Sequence, residues 1–594
     1  MNPNHLKLLQ RAQILELSGK ALEASAAYRA FLNLEPEDAP TWTDYAGQLL
    51  RVGNLQEAQS ACEAALAIDP RQASARINLG CILMQQERIR EAEGQYKSVL
   101  SLEPGRLDAR LFLVECLLKR RDLVNARLEL DEANQPGAMS GRYAVLRTRQ
   151  AGLWSVLSSA LFELEQFGEA EAACQTALLL APDLPLAKSN LGAIRMVQGR
   201  MREAEGMFRQ LLVDHAGDAS IRLRLISCLT RMGDLPLADQ EIRTVLQQEP
   251  HDLIVHSSVM GSYYDLGRWP EFRAEIERFR KADPSSDYPV WEQGFIDLLF
   301  GDMPLGWGKY EARLRLPKEW WPQRSFMQPA WDGGAFAGKT LLLWPEQGLG
   351  DLLMFVRYLP LVKALGGQVI LEVPRPVMGL ATTCKGADIL VPFGAPPPPF
   401  DLQASLLSLP WLFRTELSTI PAETPYLDVP EEVPHRQELL DALGRACGST
   451  RIGLVWAGSP VNSRNLERSL PPIALAPLAV LSDVAWFSFQ VGREDRLPLP
   501  NLVTLAPLLG DFSDTAYALS GMDLVITVDT AVAHLAGALG IPTLLLLAFQ
   551  ADFRWLLERD DSPWYPSLRL YRQPSYGDWE SVIQQVVADL SSGS

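Results

Sequence analysis

The stretch VITVDTAVAHLAGALGIP (525–542) joins an apolar, β-branched run to an alanine-rich helical run through Asp529 and Thr530. A strand ending at Val528 and a helix starting at Ala531 leave free amides, the Thr530 hydroxyl and the His534 imidazole at one strand end. A helix N-terminus favours negative charge, and hydroxyl and imidazole donate to it, so the pattern reads as a phosphate site. Read more plainly, Thr530 caps the helix and His534 packs on it. Spacing alone leaves both readings open. Asp351 follows Gly348 and Gly350 at another strand end. A carboxylate there can take a proton from an acceptor in a cleft. It can equally be a helix N-cap, and the helix N-terminus would lower its pKa, which works against a base.

Arg464 and Arg468, in SPVNSRNLERSL, and Arg554 can meet the charge of a leaving group. Gly350, Ser459 and Gln490 also stand at strand ends and join Asp529, Thr530 and His534 as donor-binding candidates. The C-terminal part has only His435 and His534 and no Asp-x-Asp, so no metal site and no resident cofactor are expected. GGAFAGKT (333–340) matches the P-loop expression, but MQPAWD precedes it and a strand follows it. A P-loop needs a strand before and a helix after, so the context is inverted.

These residues require parallel sheets to hold them. TLLLW (340–344), QVILEV (368–373), RIGLVWAG (451–458), VAWFSFQVG (484–492), DLVITV (523–528) and TLLLLA (543–548) read as strands separated by helices. Apolar strands in such alternation are buried on both faces, and ligands bind at their carboxyl ends. PEEVPHR (430–436) reads as a linker. The expectation is two Rossmann-like domains, 338–430 and 437–594, facing a cleft. A Trp-rich connector, 285–337, carrying Trp291, Trp307, Trp320, Trp321 and Trp331, precedes them.

Residues 1–284 have a 34-residue period. Pro36, Pro70 and Pro104 keep it, and Pro182, Pro250 and Pro284 resume it in a second phase. Gly19, Gly53, Gly199, Gly233 and Gly267 fall where two helices turn, and Ala24, Ala58, Ala92, Ala126, Ala170, Ala204 and Ala238 where they touch. Tyr28, Tyr96 and Phe208 fill the space between repeats. This is a tetratricopeptide (TPR) array, an α-solenoid of about eight repeats with an insertion near 120–148. Such grooves hold protein segments, so a protein partner is expected.

The seven cysteines are scattered and form no CxxC pair, which fits reduced thiols and a cytoplasmic location. No leader-like apolar region and no membrane span are visible. The net charge is −17, with 33 basic against 38 acidic residues over 1–284 and 22 against 34 beyond. The acidity lies mainly in the C-terminal part, which argues against general nucleic-acid binding. Lys119, Arg120, Arg121, Arg127, Arg142, Arg147 and Arg149 form a local basic cluster. It is either a solvated helix face or a docking patch for an acidic partner segment, with Arg120, Arg121 and Arg127 as docking candidates.

EQGLGD (346–351), GLVWAGSP (453–460), LERSL (466–470), VDTAVAHLAGALG (528–540), DFRWLL (552–557) and SPWYPSLRLYRQ (562–573) resemble bacterial TPR-linked glycosyltransferases of the GT-B fold. The catalytic half is similar to lipopolysaccharide heptosyltransferases and, more distantly, to the TPR-bearing O-GlcNAc transferase. The resemblance implies an inverting, metal-independent transfer from a nucleotide-sugar co-substrate. It implies that Asp529, Thr530, His534, Leu535 and Ala536 hold the donor's phosphates, with Ala531 and Val532 replacing the family's Gly-Pro. It places the catalytic Asp on Asp351. The family's lysine after the first strand of the C-terminal domain is absent, and Arg468 is the substitute. Some proteins of this plan are flagellin glycosyltransferases that transfer a nonulosonic acid, such as pseudaminic acid, from its CMP form. The resemblance therefore implies a protein O-glycosyltransferase acting on Ser/Thr, its array holding the acceptor. A lipopolysaccharide or polysaccharide transferase using the array for assembly, and a non-catalytic TPR scaffold, are the alternatives.

Overall fold

A computed structural model describes residues 3–134, 144–318, 321, 324–346, 348–445, 450–459, 465–493, 496–550 and 552–592. Trp320, Arg142 and Arg464 lie outside them. By packing, the chain divides into two compact units, 1–228 and 229–594.

Among the described residues, sixteen helices run in antiparallel pairs from Pro3–Leu17 to Trp269–Ala282. Each pair needs one left-handed residue to turn the chain back. Gly19, Gly53, Gly199, Gly233 and Gly267 supply it, with φ of 64–79°. In the remaining repeats Glu87, Arg121 and Glu165 adopt φ of 58–60° at the equivalent position. The close-contact alanines are buried completely or nearly so, and Tyr28, Tyr96 and Phe208 fill the space beside them. A β-carbon on Gly80 or Gly192 would collide with the Tyr96 or Phe208 ring, so small and large residues are matched across neighbouring helices. The irregular repeat is visible as an eleven-residue helix, Leu123–Ala133, followed by a twenty-residue one, Ala144–Glu163.

The basic cluster sits on this repeat. Arg120 pairs with Glu93, Arg121 with Glu163 at 2.7 Å, Arg127 with Glu169 at 2.5 Å and Arg149 with Glu115 at 2.7 Å. Arg149 also lies 4.0 Å over the Phe112 ring. Each of these charges is therefore met by a carboxylate of its own unit.

The second unit begins inside the helix Ala219–Met232, so the last regular pairs belong by packing to the α/β region rather than to the earlier repeats. The connector, expected to hold two short helices, does so. Tyr288–Leu299 and Met303–Tyr310 form a further helix pair, turned by Gly301 at φ 86°, 34 residues after Gly267. Its helices meet where Gly294 and Gly306 leave no space for a β-carbon.

A four-stranded parallel sheet comes next in the chain, with β1 Thr340–Trp344, β2 Gln368–Val373, β3 Ile389–Pro392 and β4 Leu402–Ser405 in the order β3-β2-β1-β4. The P-loop-like Lys339 and Thr340 lead into β1, where the Thr340 amide donates to Asp401 Oδ2 at 2.8 Å. A six-stranded parallel sheet contains β5 Thr450–Val455, β6 Val484–Ser488, β7 Val503–Thr504, β8 Leu524–Val528, β9 Thr543–Leu547 and β10 Leu568–Arg572. Its order, β10-β9-β8-β5-β6-β7, is the 3-2-1-4-5-6 order of dinucleotide-binding sheets. The topology reverses between β5 and β8, and in the smaller sheet between β1 and β4. The chain is thus a TPR solenoid followed by an α/β region of two parallel sheets. No described helix is long and apolar enough to cross a membrane.

Candidate active site

At the β1/β4 reversal, Glu346 follows β1 and Ser405 ends β4, and the Ser405 hydroxyl donates to Glu346. The fully buried Arg313, just after the last helix pair, donates to Glu346 at 2.5 and 2.9 Å and to Glu311 at 2.5 Å. The Trp321 indole donates to Glu346 Oε2 at 2.5 Å. A buried carboxylate is tolerated only when paired and hydrogen-bonded, and Glu346 meets both conditions. This network fixes the turn that leads to the helix Leu349–Phe355, whose first turn carries Asp351.

At the β5/β8 reversal, Thr530 precedes the helix Ala531–Ala538 in extended conformation, but its side chain makes no capping bond. Its hydroxyl lies 3.3 Å from that of Thr527. The Ala533 and His534 amides turn back to the Thr530 carbonyl at 3.0 and 3.4 Å, and the amides of Ala531 and Val532, before them, have no carbonyl within the helix to bond. Gly458 and the exposed Ser459 follow β5, and Arg468 ends the short helix Asn465–Arg468. The Arg468 guanidinium lies over Gly458, in the space a β-carbon would take.

The two reversals meet. The helices Leu349–Phe355 and Ala531–Ala538 pack so closely that a β-carbon on Gly350 would fall 2.7 Å from His534 Cδ2. Arg554 spans the same space. It donates to Asp351 Oδ1 at 2.5 Å and to Asp552 Oδ1 at 2.6 Å. Residues 552–555 divide their side chains between three neighbours. Phe553 enters an aromatic cluster with Phe295, Trp307 and Tyr310, Arg554 turns to Asp351, and Trp555 stacks on His534 at 5.2 Å. A small recess beside Asp351 is lined by Pro345, Glu346, Leu352, Phe355, Leu406 and Leu407.

The charges here are displaced from their ordinary states. Burial pushes the Asp351 carboxyl up and Arg554 only partly offsets it. The expectation from sequence is the opposite, because it weighs only the helix N-terminus; removal from water outweighs that local effect. Burial, with Asp552 nearby, raises Asp529 to about 6 against the pull of Arg468 and Arg554. His534 is held well below its ordinary value by burial first, then by Arg554, Arg357 and Arg468, so it is neutral.

Of the candidate donor residues, Gly350, Asp529, Thr530 and His534 come together, with Arg468 at their edge. Gln490 is occupied otherwise: its Oε1 accepts from the Trp456 and Ala457 amides at 3.2 and 2.9 Å, tying the end of β5 to that of β6. Sequence reasoning passed over Glu346, Arg313, Asp552, Trp555 and Tyr565. Two of these lie in the segment DFRWLL and one in SPWYPSLRLYRQ, but no spacing within those segments reveals what they face.

Comparison with known proteins agrees with this division. The tetratricopeptide repeat model matches residues 151–184, and the middle TPR-like domain of cilia and flagella-associated protein 70 matches 8–134. Glycosyltransferase family 9 (heptosyltransferase) matches 494–555, a stretch that includes Asp529, Thr530, His534 and Arg554 but neither Asp351 nor Arg468. Protein FlbA of Caulobacter vibrioides is 28% identical over 357 residues, 55% of this chain; the match spans 59% of that protein's length. A tetratricopeptide repeat protein from Parabacteroides merdae aligns with a TM-score of 0.34 and 13% identity, over 44% of this chain and 99% of its own. Pseudomonas aeruginosa pilF aligns with a TM-score of 0.32 and 17% identity, over 37% and 95%. Together the repeat and family 9 matches support a glycosyltransferase with a TPR region.

Proposed function

We propose that the protein is a protein O-glycosyltransferase of GT-B type, using a nucleotide sugar without a metal and inverting the anomeric centre. The observation that carries the reading is the meeting of Asp351 and His534 across one close helix contact, with Arg554 between them. A base candidate and a phosphate-site candidate thereby share one cleft. Asp351 Oδ2 accepts the proton of a Ser/Thr hydroxyl while Arg554 holds Oδ1. The hydroxyl oxygen attacks the anomeric carbon, and the bond to the nucleotide phosphate breaks. The departing negative charge is met by the amides after Thr530, its hydroxyl, His534 and Arg468. Burial, which raises the Asp351 pKa, suits proton acceptance.

The array is the acceptor-holding part, raising the local concentration of Ser/Thr at the cleft. Arg121 and Arg127 pair with exposed carboxylates, and such pairs are worth about 0.2–1 kcal/mol, so an acidic acceptor segment can exchange with them cheaply. Flagellin as acceptor and a nonulosonic acid such as pseudaminic acid as sugar are the first pair to try, on the resemblance to flagellin glycosyltransferases.

Incubation of the full chain with CMP-nonulosonic acid or UDP-sugars and the acceptor, followed by intact mass, tests the reading. A gain of one sugar mass on the acceptor, abolished in Asp351→Asn, is expected. No gain with any donor would overturn it. The heptosyltransferase description of the family 9 match favours a second reading, transfer to a lipid-linked or polysaccharide acceptor. In that case label from the same donors enters the glycan and never the protein.

A further inference from the structure

His534 can present a proton to the cleft only if the right ring nitrogen carries it, and residues outside the phosphate-site pattern decide that. The imidazole is 4% exposed. Its Nδ1 lies 2.9 Å from the Tyr565 hydroxyl, and its other edge, Cδ2 and Nε2, faces Gly350. Tyr565 can come this close because Gly537, one turn further along the His534 helix, has no side chain where the phenol ring lies.

The direction of the Tyr565–His534 bond follows from where the other protons go. Arg357, nearly fully buried, donates to the Tyr426 hydroxyl at 2.9 Å and to the Trp564 carbonyl at 2.6 Å. Its guanidinium lies 4.6 Å from the Tyr426 ring centre and 4.4 Å from that of Tyr565. Tyr426 has one proton, and the Leu353 carbonyl receives it at 2.9 Å. Tyr565 also has one proton. Its near acceptor is Nδ1 of His534 at 2.9 Å; the 3.5 Å contact with Tyr426 lies at the limit of a hydrogen bond and is directed from the Tyr426 hydroxyl to the Tyr565 oxygen. The shorter contact takes it. Nδ1 is then an acceptor, and a neutral imidazole that accepts on Nδ1 carries its hydrogen on Nε2.

We infer that Tyr565, held in place by Arg357, is a positioning residue that fixes His534 as an uncharged Nε2–H donor at the cleft. This deepens the nucleotide-sugar reading and rests on it for what the donor meets, namely a phosphate oxygen. An uncharged N–H donor binds the phosphate without titrating near neutral pH.

The test reads the ring directly. In the full chain labelled with ¹⁵N-histidine, His534, assigned by its loss in His534→Ala, should show a protonated Nε2 and an unprotonated Nδ1. Tyr565→Phe should shift both nitrogens toward a tautomer mixture. A wild-type signal from an Nδ1–H tautomer overturns the inference, whether or not the variant folds. So does an unchanged signal in a folded Tyr565→Phe protein. Titration with UDP and CMP supplies the second readout. Tyr565→Phe should bind about tenfold more weakly, the cost of one well-placed hydrogen bond, and the double variant with His534→Ala should be no weaker than His534→Ala alone. Independent, additive losses count against it. Failure of the wild-type chain to bind either nucleotide sinks the nucleotide-sugar reading instead, and the tautomer signal still decides this one.

Discussion

Gly350→Ala adds one methyl group where the helices Leu349–Phe355 and Ala531–Ala538 meet. The new carbon would fall 2.7 Å from His534 Cδ2 and 3.3 Å from Nε2. Carbon atoms rest about 3.5–4.0 Å apart, so roughly 1 Å must be found. His534 cannot supply it cheaply, because its ring is stacked on Trp555 and hydrogen-bonded to Tyr565. Either the imidazole turns and loses that bond, or the helix Leu349–Phe355 moves away and takes Asp351 with it. Overpacking of this kind costs about 1–3 kcal/mol. Alanine in place of helical glycine returns up to about 1 kcal/mol, so the net loss is about 0–2 kcal/mol. Misplacing reacting groups by about 1 Å costs on the order of 10²-fold in rate. Gly94→Ala and Gly206→Ala are the matched controls, since each lies inside a repeat helix with open space at the β-carbon position. They should stabilise by about 0.5–1 kcal/mol and leave transfer unchanged. Thermal unfolding and initial transfer rates of the three variants form the assay. A Gly350→Ala protein that is stabilised like the controls and still transfers at the parent rate would refute the close-packed site.

Other substitutions test separate parts of the structure. Glu87 is exposed with φ of 60°, so Glu87→Gly should raise the stability of the repeat unit by about 0.5–1 kcal/mol, read as a higher melting temperature. Asp529 binds its proton more tightly folded than unfolded, so its ionisation costs stability as pH rises from the unfolded value through about 6. Asp529→Asn should therefore raise stability at pH 7 by about 1–2 kcal/mol, discounted for the solvent that reaches the carboxylate, and flatten the melting curve's pH dependence between about 4 and 6. Glu346→Gln leaves Arg313 without its main counter-charge in the interior, and should cost about 3–5 kcal/mol in chemical denaturation. A similar loss in Glu346→Ala but none in Glu346→Gln would mean that the hydrogen bonds matter more than the charge.

The repeats were legible because a 34-residue period writes the same contact many times, so each alanine confirms the next. The strands TLLLW and QVILEV were legible because parallel strands buried on both faces are apolar throughout. The left-handed turns at Glu87, Arg121 and Glu165 were not, since a repeat that is held by its neighbours can impose a conformation its own residue disfavours. The pair Tyr288–Leu299 and Met303–Tyr310 kept the register at Gly301, yet its tryptophans, of which Trp307 packs against Phe553, masked the repeat pattern. The expected array boundary at 284 rests on proline spacing, whereas compactness depends on contacts such as Arg231 with Glu467 that no local pattern records. At the site, Asp351 and His534 each stood out as residues at the start of a helix after a strand. Their partnership through Arg554, 203 residues from Asp351 in the chain, is a product of the fold.

The bond between Arg313 and Glu346 also bears on how such a chain can change over generations. Repeat proteins lengthen and shorten by duplicating or losing whole units, which is tolerated because each unit touches only its neighbours. The pair ending at Tyr310 is exempt from that freedom. The residues just after it share a buried charge with the turn that carries Asp351, so its deletion would strip the interior of a counter-ion as well as a helix pair. Turnover of repeats is thus confined to the earlier part of the array, where gain or loss of one 34-residue unit leaves every contact of Asp351 and His534 in place.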